Sequence, residues 1–179
     1  MRKVILFIGS SLDGYIARED GTIDWLFTDG DYGYKQFYDS VDTLLLGRKT
    51  YDQVLQFTKS PFEKKTCFVF TRQSNITNDH NLQFVNDPIE RVKQLIRSSG
   101  KDMWLVGGSE IISILLNADL INEIILSVHP IILGSGIPLF RSIQKLSCLR
   151  FLNSKTFESG LVKLHYELRQ KWDIGTSQS

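Results

Sequence analysis

The sequence predicts an α/β protein of three layers: a mostly parallel central sheet, helices on both of its faces, and a closing antiparallel hairpin. Three observations predict it. Apolar runs of strand length recur along the chain, at Val4 to Ile8, Thr43 to Leu46, Thr66 to Phe70, Met103 to Val106 and Glu123 to Val128. Most are followed by segments whose apolar residues fall at helical spacing, the pattern of strands joined by crossover helices. The last stretch instead alternates apolar and polar residues on either side of a short turn, the mark of a half-buried antiparallel pair.

Taken in order, Val4-Ile5-Leu6-Phe7-Ile8 carries no polar residue and suits a strand buried on both faces, near the middle of the sheet. Gly9 to Gly21 is a glycine-punctuated loop, longer than a plain connection requires, and long loops after central strands carry ligands. Asp13 within it is a turn former before it is an acid. Beyond Asp24-Trp25-Leu26-Phe27, the residues Tyr34, Phe37, Tyr38 and Val41 place an aromatic stripe along one helix face, which serves either as core or as the wall of a planar-ligand pocket. Thr43 to Leu46 is a second strand, ending at Gly47-Arg48-Lys49-Thr50-Tyr51, with Tyr51, Val54 and Leu55 helically spaced behind. Thr66 to Phe70 is a third, ending at Thr71-Arg72-Gln73-Ser74. Both ends offer a cation and hydroxyls; arginine binds phosphate oxygens bidentately, although a solvated basic turn has the same composition.

Leu82 to Val85 is a short strand, and Asp87-Pro88-Ile89-Glu90 starts a helix with a capping carboxylate, proline at the first helical position and an acid in the first turn. Ile89, Val92 and Ile96 mark its buried face, and Gly100 its end. The next strand runs through Val106 into Gly107-Gly108-Ser109-Glu110-Ile111, where two residues without Cβ atoms leave the backbone open and a new helix presents unpaired N–H groups and its positive dipole end. This is a phosphate cradle, although glycines also serve strand-to-helix turns for tightness alone. Glu123 to Val128 is another strand. Pro130 to Phe140 is too punctuated for a regular element and too apolar for a free linker, and is expected to be a packed loop. Cys148 to Phe157 and Leu161 to Arg169 flank Glu158-Ser159-Gly160, with Val162, Leu164, Tyr166 and Leu168 alternating with Lys163, His165 and Glu167.

Composition narrows the classes of function. The chain has 179 residues, 42% of them apolar, enough for one domain with a sizeable core, expected over residues 1–170 with a disordered tail at 171–179. Its 21 basic and 20 acidic side chains leave a net charge of +1 and form no long block of either sign, so neither nucleic acid nor membrane is an expected partner and a small molecule is. The basic start and the apolar run ending at Gly9 are too short for a signal peptide or a span, so a cytoplasmic protein is expected. Cys67 and Cys148 are read as reduced structural thiols. His80, His129 and His165 are scattered without metal-ligand spacing, and no metal is expected. Ser135 between two glycines lacks the strand-to-helix setting of a nucleophile elbow, and Asn75-Ile76-Thr77 matches a glycosylation acceptor only in composition.

The strand order and five of these segments, Ser11 to Ala17, Gly47 to Tyr51, Thr71-Arg72, Val106 to Ser109 and Pro130 to Phe140, together point to a family. Over residues 2 to 169 the chain resembles the dihydrofolate reductase-like fold, and within it the group sharing the reductase domain of bifunctional riboflavin-biosynthesis proteins. The resemblance implies an NADPH site. Gly47, Arg48, Lys49 and Thr50, with Thr71, Arg72, Gln73 and Ser74, would take the adenosine 2′-phosphate side. Val106, Gly107, Gly108, Ser109, Glu110 and Ile111 would receive the pyrophosphate, and Ile8, Gly9, Ile16 and Ala17 would close around the nicotinamide. The two arginines independently favour NADPH over NADH, because a 2′-phosphate pairs a cation that a bare ribose leaves unpaired.

On the substrate side the chain departs from these relatives. The riboflavin-pathway reductases carry a lysine where this chain has Phe7 and a glutamate where it has Val106, so their phosphoribosylated pyrimidine is not the expected substrate. The acid that holds the pterin in dihydrofolate reductases falls near Gly30, between Asp29 and Asp31; Asp31 is taken as the candidate proton donor, beside the alternative of a carboxylate favoured by the helix dipole. The expected function is an NADPH-dependent reductase passing hydride to a small planar conjugated substrate, pterin- or pyrimidine-like, beside Phe7, Trp25, Tyr34, Phe37 and Tyr38. An NADPH-binding sensor without turnover, or a cleft for another phosphorylated ligand, fits the same strand ends. The resemblance also implies a homodimer.

Overall fold

The computed structural model describes residues 1–57, 62, 64–73 and 81–169. In chain order these form β1 (Val4–Ser11), β2 (Tyr15–Ala17), α1 (Tyr34–Ser40), β3 (Val41–Gly47), α2 (Arg48–Phe57), β4 (Thr66–Phe70), β5 (Leu82–Val85) and α3 (Pro88–Arg97). There follow β6 (Asp102–Gly107), α4 (Ser109–Asn117), β7 (Glu123–His129), β8 (Ile137–Pro138), β9 (Cys148–Thr156) and β10 (Val162–Arg169). Eight strands make one sheet in the order β5-β4-β3-β6-β1-β7-β10-β9. Every neighbouring pair is parallel except those made by β10, which is antiparallel to both β7 and β9. The expected architecture is the observed one, with β1 in the middle of the sheet between β6 and β7.

Alternation along the strands divides the core in two. Leu44 and Leu46 of β3 join Ile5, Phe37, Cys67 and Trp104 on the face covered by α1, with Tyr51 of α2 packed against them. Leu45 points the other way, to Leu6, Met103, Leu105, Ile112 and Leu115 beneath α3 and α4. Each fully buried leucine contributes about 1.5–3 kcal/mol by leaving water, and because β3 is apolar on both faces it can be covered on both. The α3 start is as its composition predicts: Asp87 accepts from the Glu90 N–H at 3.0 Å and Pro88 opens the helix.

The amino ends of the central strands are held by a buried arginine. Arg2, whose side chain is 6% exposed, pairs with the Asp42 carboxylate and donates to Thr43 Oγ1 at 2.6 Å, to the Lys101 carbonyl at 2.5 Å and to Ser98 Oγ at 3.2 Å. One guanidinium thereby ties the start of β1 to β3, α3 and β6. Cys67 and Cys148 are free and buried, and burial pushes the Cys67 thiol up to about 12.

Three local expectations are corrected. β1 continues past Gly9 to Ser11, because Gly9, Ser10 and Ser11 pair with Ser127, Val128 and His129. Pro130 to Phe140 is not wholly a loop: Ile137 and Pro138 pair with Tyr15 and Ala17 in a separate two-stranded sheet, where a Cβ on Gly136 would stand 2.3 Å from the Ala17 carbonyl. Val41, expected on the aromatic helix stripe, already begins β3 in extended conformation. Ser74, Asn75 to Thr77, His80 and the expected tail lie outside the described residues. Among the described residues no helix is long and apolar enough to cross a membrane.

Candidate active site

Parallel strands end on the same edge of the sheet, and the register states which ends are neighbours. Gly47 of β3 pairs with Phe70 of β4, and Leu46 with Gly107 of β6. Arg48, Thr71 and Gly108 therefore follow side by side, and α2 and α4 both begin there. The contact between the two helix starts is made by backbone: a Cβ on Gly47 would meet Ile111 Cγ1 at 3.4 Å and Gly108 Cα at 3.7 Å. One on Gly108 would meet Thr50 Oγ1 at 3.3 Å and Gly47 Cα at 3.4 Å, and Gly108 has φ +104°, a conformation that favours glycine. Gly107 lies over Ile8, whose Cδ1 is 3.6 Å from where a Cβ would stand. Gly47, Thr50, Gly107, Gly108, Ile111 and Ile8 thus form one floor. Gly108 starts α4 without a side-chain cap, leaving first-turn N–H groups to face an anion.

The two arginines stand at the edge of this floor. Arg48 Nε donates to both Asp52 oxygens at 2.8 and 2.9 Å and NH1 to Gln73 Oε1 at 3.3 Å, with the guanidinium 5.5 Å from the centre of the Phe84 ring. Arg72, 88% exposed, pairs with Glu110 in the first turn of α4. Because β3 lies between β4 and β6, this pair spans the Gly47-Arg48 turn. Lys49 is exposed and Thr50 half-buried beside them. Thr71 donates its N–H to Val85, and its hydroxyl accepts from Gln73. The Ser109 hydroxyl turns away to the Pro138 carbonyl at 2.6 Å, so its contribution to the floor is its backbone. Val106 packs on the α1 face instead. Ile16 lies against the core beneath α4, and Ala17 is buried beside β8. A cavity of about 370 Å³ opens between the first loop, from Ser10 to Tyr15, and Pro138 to Phe140; none of the glycine tips lines it.

The aromatic residues divide into two groups. Phe7 stacks on Phe37 with ring centres 4.3 Å apart, and Tyr34 on Tyr38 at 5.6 Å. All four surround Trp104, whose Nε1–H donates to the Phe7 carbonyl at 2.9 Å. Trp25 is set apart, edge-on to His129 at 5.3 Å, while Leu26 and His129 cover Gly9. Trp25 Nε1–H is buried and has no hydrogen-bond partner among the described residues, and such an orphaned donor costs about 1–3 kcal/mol until a polar atom meets it. Asp31 accepts from the Gly33 and Lys35 N–H groups at 3.0 and 2.8 Å, shaping the turn into α1, while Asp29 accepts from the Tyr32 hydroxyl at 2.6 Å.

Sequence reasoning missed Trp104 as the hub of the aromatic cluster. The one signal for it is an indole on a strand otherwise made of smaller side chains, directly before the double glycine. It also missed where His129 sits: buried at the tip of β7 opposite Ser11, with Nδ1 3.2 Å from the Ser127 carbonyl and its basicity lowered by burial. Asp13, a turn former by its sequence context, ties two loops by accepting from Leu133 and Gly134 N–H at 3.1 and 2.8 Å.

A sequence model of the RibD C-terminal domain matches residues 2–163. Two Bacillus subtilis (strain 168) proteins, the uncharacterized YwjB and YyaP, are 42% identical over 170 residues and 36% identical over 178; each alignment covers 92% of this chain, and 97% and 94% of those proteins. A crystal structure of a proposed riboflavin biosynthesis protein from Shewanella sp. PV-4 superposes with a TM-score of 0.83 at 28% identity, covering 94% of this chain and 99% of that one. The Thermotoga maritima diaminohydroxyphosphoribosylaminopyrimidine deaminase/5-amino-6-(5-phosphoribosylamino)uracil reductase gives 0.74 at 16% identity, over 94% of this chain and 57% of that one. Enterococcus faecalis dihydrofolate reductase, complexed with NADP(H) and RAB-propyl, gives 0.72 at 16% identity, over 93% and 96%. The last two likenesses establish the fold.

Proposed function

The chain belongs to the RibD C-terminal domain family, and from that premise we propose that it is an NADPH-dependent reductase that passes hydride to a small planar conjugated substrate. The observation that carries this reading is the convergence of Gly47, Thr50, Gly107 and Gly108 into one bare-backbone floor at the start of α4. A dinucleotide fits such a floor: the glycines leave room for a pyrophosphate, the uncapped helix start supplies donors, and Arg48 and Arg72 stand where a 2′-phosphate would add charge. When bound, NADPH supplies the hydride. The chain's own residues bind and orient it, and the packed aromatic face from Phe7 to Trp104 keeps water from that side of the cleft.

The substrate side supports a molecule other than the riboflavin-pathway one. Phe7 is stacked on Phe37, and Val106 packs in the apolar cluster beside Trp104, so neither position offers a charge to a phosphoribosyl group. Proton delivery is assigned to Asp31, once the Gly33–Lys35 turn releases it, or to a water reached from the Trp25 N–H. That Asp31 is engaged by two backbone donors is also the observation that favours a second reading, a nucleotide sensor without turnover. NADPH oxidation measured against dihydrofolate, other pterins, aminopyrimidines and flavins separates the two, since robust turnover with any of them removes the sensor.

Binding itself is tested by titrating the purified protein with NADPH and NADH and following cofactor fluorescence; no interaction with either at millimolar concentration rejects the proposal. In the same titration Arg72→Gln and Arg48→Gln are each expected to lower the preference for NADPH over NADH by about tenfold, the low end of a charge-assisted hydrogen bond because both side chains are solvated. An equal loss for both nucleotides would assign the arginines to general attraction instead. The proposal extends to a pair of chains: Leu146 and Phe151, 85% and 55% exposed, border the sheet face that ends at β9 and offer apolar surface to a second copy. Sedimentation of the purified protein as a 20.5-kDa species at micromolar concentration would remove that extension.

A further inference from the structure

The face of the sheet that carries Phe7 also carries a cation with unspent donors. Gly9 of β1 pairs with Ser127 of β7, and Ser127 with Lys163 of β10, so the three lie in one row and project to the α1 side. The Lys163 ammonium reaches back beneath the turn into α1, where Nζ donates to the Tyr32 carbonyl at 3.1 Å. It lies so close to Gly33 that a Cβ there would stand 2.6 Å from it. Tyr34 and Phe37, which follow that turn, are the residues packed on Phe7. The ammonium therefore stands between the sheet and the turn into α1, next to the residues that pack on Phe7.

Its charge is only partly compensated. Burial draws the Lys163 pKa down, the neighbouring Lys155 draws it down further, and Asp31 alone among the facing groups opposes them. Both lysines lie near the Phe157 ring, at 5.8 Å for Lys163 and 5.0 Å for Lys155. The buried charge on β7 is treated differently: Glu123 has Lys3 at 2.6 Å and His165 at 2.8 Å. Lys163 has three N–H donors, one carbonyl acceptor and no carboxylate in salt-bridge contact among the described residues. A half-desolvated cation in that state gains strongly from an anion that arrives with its own oxygens.

We propose that Lys163 anchors a negatively charged group of the substrate, so that the hydride acceptor is a planar conjugated acid and not a neutral heterocycle. This rests on the reductase reading of the same cleft, and it names the substrate class that the reading leaves open. Phe7 offers no charge on that face, and Lys163, two strands away on the same face, does.

The test uses calorimetric titration of the full chain, with and without NADPH, against matched acid and neutral probes: orotate and uracil, pterin-6-carboxylate and pterin, uridine 5′-phosphate and uridine. At least one acid is expected to bind about tenfold more tightly than its neutral partner, the strength of one charge-assisted hydrogen bond. The first two pairs identify a carboxylate and the third a phosphate as the source of the charge. Lys163→Met is expected to erase that preference while leaving the neutral probe and NADPH unaffected, and Lys163→Arg to retain it. If Lys163 only braces the turn, Lys163→Met lowers the melting temperature and keeps the acid preference, which overturns the proposal; so does failure of every acid to bind at millimolar concentration. Acid binding that depends on Lys163 in a protein indifferent to NADPH would instead overturn the reductase reading and leave the anion site standing.

Discussion

Gly108→Ala is expected to weaken NADPH binding by about 100-fold, the largest single effect on ligand binding anticipated here. The residue is held at φ +104°, where an L side chain costs roughly 1–3 kcal/mol. Its new Cβ would press on Thr50 Oγ1 at 3.3 Å and on Gly47 Cα at 3.4 Å, the second of which is backbone and has little freedom to give. Relief takes a shift of a few tenths of an ångström between the Thr50 side chain and the start of α4, at the floor presented to a pyrophosphate. Fluorescence titration with NADPH reads the loss. Gly134→Ala is the control, because Gly134 also has positive φ, at +75°, but nothing lies within 4 Å of its Cβ position. It shares the backbone strain and is expected to keep wild-type affinity; if both variants bind alike, the glycine floor is not the nucleotide site.

Arg2→Met is expected to lower the free energy of unfolding by about 2–4 kcal/mol with little change in NADPH affinity. The guanidinium is almost wholly buried and serves four partners on three further elements, so its removal leaves Thr43 Oγ1 and the Lys101 carbonyl short of a donor and Asp42 without its counter-charge. Asp42 is 40% exposed and water recovers part of the loss, which places the expectation below that of a fully buried pair. Urea unfolding followed by far-UV circular dichroism measures it. A midpoint within experimental error of wild type would mean that the amino ends of β1 and β3 are held by packing alone.

The fold was legible where local pattern and burial agree. β1, β3, β4 and β6 are apolar on both faces because helices cover both, and uninterrupted apolar runs state this directly. Asp87-Pro88 likewise announced a helix start, whereas the alternation from Val162 to Leu168 announced an antiparallel strand but not its covering, since residues of both faces are half-buried. Illegible were features that depend on contacts distant in sequence. β8 has two residues and no periodicity, and exists because Tyr15 and Ala17 lie beside it. Val41 satisfies the helical spacing of the aromatic stripe, but pairing with Asp102 draws it into the sheet.

The site divides in the same way. Strand ends with glycine and a cation are local signals, and parallel pairing brings them together at one edge. The ion pairs that engage the arginines differ: Asp52 is four residues from Arg48, on the same helix face, whereas Glu110 is 38 residues from Arg72 and meets it only across the folded sheet. The separation of Trp25 from the Phe7 cluster has the same origin, since it depends on how the chain turns between residues 25 and 34. Lys163 read as the solvated side of an alternating strand; the turn from Asp31 to Gly33 closes over it.

The position of β1 has a consequence for how the protein is made. Val4 pairs with Met103 and Ile5 with Glu123, so this strand meets its partners only about a hundred residues after it is made. While β3, β4 and the intervening helices leave the ribosome, the apolar run Val4 to Ile8 lacks both of its partner strands, and it must be kept from other nascent chains by transient collapse or by a chaperone. A central strand of the sheet is thus exposed while residues 12 to 102 are made, and translation speed over that stretch sets how long the exposure lasts.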